Sequence, residues 1–71
     1  MGTVYVYLLD EGTDVWRPVN AERVNESQYR LDPNVLMPDG ESWEFPPGLL
    51  VECDRKRLSD GEQLVAVRRA E

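Results

Sequence analysis

Two apolar, strand-like runs, Val4 to Leu9 and Val15 to Val24, are separated from the apolar residues near the C-terminus by Trp43-Glu44-Phe45-Pro46-Pro47-Gly48. Neither proline can donate to a sheet ladder, and the glycine that follows them can take positive φ, so this segment has to turn the chain sharply into its next strand. A chain interrupted in this way folds as short strands joined at corners.

The flanking runs read as strands from their period. In an extended segment Val4, Val6 and Leu8 fall on one face and Tyr5, Tyr7 and Leu9 on the other, a β-branched and aromatic pattern. Asp10 to Asp14 combines Gly12 with the carboxylates of Asp10, Glu11 and Asp14, which suits a solvated turn. In the second run Val15, Val19 and Ala21 are in phase, and Pro18 belongs at an edge, bulge or bend. After the polar break Asn25-Glu26-Ser27, Gln28 to Leu31 completes a hairpin with Tyr29 and Leu31 on the core side. Asp32 to Ser42 is a long connection with Val35-Leu36-Met37 folded back as an anchor. Leu49 to Leu58 and Glu62 to Arg69 form a final hairpin around the turn chemistry of Asp60-Gly61. The expected fold is all-β, one domain over residues 1–71: a three-stranded meander (3–32), a long loop, and a C-terminal β-hairpin (49–69), five strands in a small barrel.

Size and composition narrow what this fold can do. Seventy-one residues lie near the lower limit at which a core alone holds a chain together. Cys53 is the single cysteine and histidine is absent, so no internal disulfide or zinc site is available, and Cys53, within Leu49-Leu50-Val51-Glu52-Cys53, reads as a small buried hydrophobe. Fourteen acidic residues against eight basic ones give a net charge of −6, a field that disfavours phosphate backbones and anionic lipid. The start of the chain has no basic, apolar leader pattern, and no run approaches the roughly 20 apolar residues that span a bilayer. The reading is a soluble cytoplasmic protein that binds no membrane.

No catalytic kit is recognisable, and an enzyme is not expected. Cys53, Ser27, Ser42 and Ser59 have no histidine to activate them, and no glycine-rich loop precedes a helix to cradle a phosphate. The acidic turn lacks the ligand order of a calcium loop, so neither metal nor cofactor is expected. Arg55, Lys56 and Arg57 would neighbour Arg68 and Arg69 across the last hairpin, a basic stripe that offers nucleic-acid binding as an alternative function, against the overall charge.

Gly12-Thr13-Asp14-Val15-Trp16-Arg17-Pro18-Val19, the hairpin into Tyr29-Arg30-Leu31, and Trp43-Glu44-Phe45-Pro46-Pro47-Gly48 ahead of a strand resemble a group of small uncharacterised bacterial proteins. The layout is similar to SH3-like and Tudor-like small barrels. The likeness implies a fold, a five-stranded SH3-like small barrel, and no activity.

The aromatic residues carry the functional expectation. With Val4, Val6, Leu8, Val15 and Val19 inward, Tyr5, Tyr7, Trp16 and Pro18 face outward from adjacent strands, a surface costly to leave bare. Either it is a recognition face, or Trp43 and Phe45 fold over it. The expectation is a protein–protein interaction module, in the manner of an inhibitor, immunity-type protein or adaptor capping a partner's basic site. Tyr5, Tyr7, Trp16, Pro18 and Trp43 are its partner-binding anchors, and Asp10, Glu11 and Asp14 are the steering charges. The other alternative is a self-assembling homo-oligomer, since a small core gains from association.

Overall fold

The structure, a computed structural model, describes residues 2–59 and 61–71. Six strands are present among them: β1 (Gly2–Leu9), β2 (Trp16–Arg23), β3 (Gln28–Leu31), β4 (Ser42–Trp43), β5 (Leu50–Leu58) and β6 (Gly61–Arg69). The fold is all-strand, and five of the strands close a hydrogen-bonded ring in the order β1, β2, β3, β5, β6 and back to β1. Successive pairs are antiparallel. In a ring of five alternating strands the first and last run the same way, so the closing pair has to be parallel, as it is where Tyr5 meets Val65. Leu58 pairs with Gly61 at the tip of the last hairpin, while Asp60 of the expected Asp-Gly turn lies outside the described residues.

The sixth strand corrects the expected count of five. Ser42 and Trp43 pair with Leu9 and Leu8 of β1, at the end of the segment read as a connection. Two residues are too few to show a period, so this pairing is set by the tertiary fold alone.

The core follows the alternation of β1. Val4, Val6 and Leu8 are buried with Val19, Ala21, Leu31, Val51, Cys53 and Ala66. Direct antiparallel partners share a face, so the pairing of Trp43 with Leu8 sends the indole inward. Trp43 and Phe45 are each 6% exposed and belong to this core. The Pro46-Pro47-Gly48 corner forms as expected: Gly48 has φ 86° and donates to the Leu31 carbonyl at 3.0 Å, and Leu49 donates to Pro46 at 3.3 Å. Of the expected Val35-Leu36-Met37 anchor, Val35 and Met37 pack on the core while Leu36 between them is 87% exposed.

Cys53 is a core residue, 8% exposed. Burial, and then the charge of Glu52, push its thiol up from 9.0 to about 11. The thiolate is therefore about a hundredfold scarcer near neutral pH than for an ordinary thiol. Ellman's reagent is expected to modify Cys53 at least about a hundredfold more slowly in the native protein than in urea, and equal rates in the two conditions would place the thiol at the surface.

β5 and β6 extend beyond the ring as an arm. Glu52 pairs with Arg68 and Cys53 with Ala66, which leaves Val67 as an extra residue in a bulge. Beyond the bulge Lys56, Leu58, Gln63 and Val65 share the face opposite Cys53. Val65 pairs with Tyr5 and so shares the outer face of β1, yet it is 1% exposed and lies apart from the inner core cluster. The arm therefore lies against the outer side of β1 and β2.

Candidate interaction face

The register of β1 and β2 sets Tyr7 opposite Trp16 and Tyr5 opposite Pro18. Val4 and Val19 are paired and buried, so these alternate positions face outward. Tyr5, Tyr7 and Trp16 are half-buried, and Pro18 is exposed. The rings of Tyr7 and Trp16 meet edge to face, with centroids 5.1 Å apart and planes at 68°, the geometry that aromatic quadrupoles favour.

Charged groups converge on this pair. The Tyr7 hydroxyl donates to Asp14 Oδ1 at 3.0 Å. That hydrogen bond and the Asp14 charge hold the phenol above its ordinary 10.0. From the arm, Lys56 Nζ lies 5.2 Å from the centroid of the Trp16 ring, within cation–π range. Trp16 lines an open cleft of about 240 Å³ together with Tyr5, Asp14, Val15, Leu58, Ser59 and Gln63. A second hollow of about 280 Å³ adjoins it on the side of Lys56 and Arg57.

The β1–β2 turn supplies the rim. Asp10 at φ 61° and Gly12 at φ 80° both take the left-handed region, which aspartate and glycine tolerate best. Asp10, Glu11 and Asp14 are exposed, and the ion pairs among the described residues are Arg17–Glu41 and Arg30–Glu71, so none of the three is paired there.

The structure separates the residues assigned to the face. Tyr5, Tyr7, Trp16, Pro18 and Asp14 come together, with Asp10 and Glu11 on the adjoining loop. Trp43 does not join them: it lies in the core cluster, 6% exposed, and not on the outer face where it was expected as an anchor. Trp43 and Phe45 do not cover the face either, because both are buried in the inner core; the arm shields it in part. Lys56, Leu58 and Gln63 line the site without having been assigned to it. Their shared phase was readable from the hairpin register, but which strand they approach depends on the long-range closing pair of β1 and β6.

The basic stripe is broken. Arg55, Lys56 and Arg57 stand opposite Leu64, Gln63 and Glu62, whereas Arg68 and Arg69 lie past the bulge, opposite Glu52 and Val51. Each segment thus has a carboxylate as a direct cross-strand partner.

Trp43 also ties the long loop down. Its indole donates to Glu41 Oε1 at 3.0 Å, and Arg17 donates to the same carboxylate through both Nε and Nη2. The Arg17 hydrogen bonds, then that from Trp43, hold the Glu41 carboxyl below its ordinary 4.5. A carboxyl lowered on folding adds stability above its unfolded value, and that stability is lost as pH falls below 4.5 through the folded value. In thermal melts between about pH 6 and about pH 3, Glu41→Gln is expected to lose less stability than the parent. Identical acid sensitivity in both would remove this pin.

Compared with protein-family models, with curated proteins and with solved structures, the chain matches none of them. Among the described residues no helix is long and apolar enough to cross a membrane.

Proposed function

We propose that this chain is a non-enzymatic protein–protein interaction module, built as an SH3-like small barrel, that docks on a partner through the outer face of β1 and β2. One observation carries the reading: Trp16, held edge-on by Tyr7, stands in an open cleft instead of entering the core as Trp43 does. A half-buried tryptophan with fixed geometry beside a hollow is the kind of anchor that dominates binding energy, because little rotamer entropy remains to be lost. The exposed carboxylates of Asp10, Glu11 and Asp14 and the net charge of −6 add long-range attraction toward a basic surface. A small acidic domain with one such face suits the role of an inhibitor, an immunity-type protein or an adaptor.

The test is selection of ligands from a random peptide display library, with each ligand retested against Trp16→Ala after its amide spectrum has shown the fold intact. Ligands that depend on Trp16 support the module. Selected ligands that bind the variant equally well, or a library that yields none, overturn this assignment of the face.

A further inference from the structure

We propose that the Trp16 cleft takes an arginine side chain from an extended segment of the partner protein, which replaces Lys56 over the indole and pairs with Asp14; this rests on reading the face as a docking site. The contact between Lys56 Nζ and the Trp16 ring shows that the open side of the indole suits a cation. Lys56 has no carboxylate partner among the described ion pairs, is exposed, and reaches the ring on a flexible stem from the arm. Such a contact is readily exchanged for an incoming cation.

Asp14 supplies what Lys56 leaves unused. It lines the same cleft, its Oδ1 accepts from Tyr7, and among the described residues its other carboxylate oxygen accepts nothing. A guanidinium can stack on the indole and still direct N–H groups at that oxygen, whereas an ammonium would only trade places with Lys56. A cleft of about 240 Å³ admits a side chain but no folded element, so the arginine has to come from an extended segment. Lys56 and Arg57 make the hollow beside Trp16 locally positive. An acidic peptide is therefore the competing occupant, yet the electron-rich face of the indole repels an anion.

The experiment titrates the intact protein with blocked seven-residue peptides that differ only at a central arginine, lysine, citrulline or glutamate. The indole amide resonance of Trp16 is followed. The arginine peptide is expected to move that resonance and to bind at least about tenfold more tightly than citrulline, as loss of the charge removes both contacts. Asp14→Asn is expected to weaken arginine binding. Lys56→Gln is expected to tighten it about two- to fivefold, the equivalent of one exposed cation–π contact. Arg57→Gln removes the same charge from the hollow without touching the ring, and is expected to change affinity less. Equal binding of citrulline, preference for glutamate, no response at millimolar peptide, or equal gains from Lys56→Gln and Arg57→Gln would each overturn the proposal. Trp16-dependent library ligands that lack basic residues would overturn it while leaving the interaction module standing.

Discussion

Trp43→Ala is expected to leave little folded protein at room temperature. The indole is 6% exposed, lies with Phe45 among Leu8, Val6 and the other buried residues, and donates to a carboxylate that also holds Arg17. Truncating a buried tryptophan costs about 3–5 kcal/mol through lost transfer energy and the cavity left behind. A domain of this size has about 5 kcal/mol or less in reserve. Urea unfolding followed by far-UV circular dichroism checks the effect, and Trp43→Phe, which keeps much of the ring volume, is expected to remain folded. A Trp43→Ala protein within about 1 kcal/mol of the parent would show that the ring is no core member, because a surface substitution rarely costs more.

The contrast between the two tryptophans also shows where the sequence was legible. Strand phase in β1 could be read because Val4, Val6 and Leu8 alternate with residues of different character, and a single buried face enforces that period. The Pro46-Pro47-Gly48 corner could be read because proline and glycine restrict or free the backbone locally, whatever surrounds them. Trp43 could not be placed, since its inward orientation is fixed by the pairing of a two-residue strand with β1, where Trp43 meets the sequence-distant Leu8, and so short a strand leaves no local period. The same limit hid the role of Lys56. Its run of Arg55, Lys56 and Arg57 suggested one basic stripe, but alternation sends Lys56 to the face opposite Arg55 and Arg57, and closure of β6 on β1 brings it to Trp16. Chemistry that depends on one strand was therefore visible in advance, and chemistry assembled across the ring closure was not.

Trp16→Ala is expected to act in the opposite sense to Trp43→Ala, removing partner binding while the fold survives. Trp16 opens β2 on the outer face, where it makes an edge-to-face pair with Tyr7 and a cation–π contact with Lys56, and it is absent from the inner core cluster. Losing an aromatic pair and an exposed cation–π contact costs about 1–2 kcal/mol of stability. At a binding hot spot the same truncation costs about 2–4 kcal/mol of affinity, or about 30- to 1,000-fold in Kd. The two effects separate in one preparation: the melting curve reports the first, and titration against a selected peptide the second. Tyr5→Ala provides a further check, because Tyr5 lines the same cleft and pairs with Val65 of β6, which is 1% exposed. Its loss is expected to weaken binding less than Trp16→Ala, as Tyr5 does not offer the ring face that Lys56 occupies. Binding that survives Trp16→Ala in a folded protein would move the contact surface off this face. Unfolding by Trp16→Ala would instead make the outer aromatic layer a second core, with the arm of β5 and β6 as its cover.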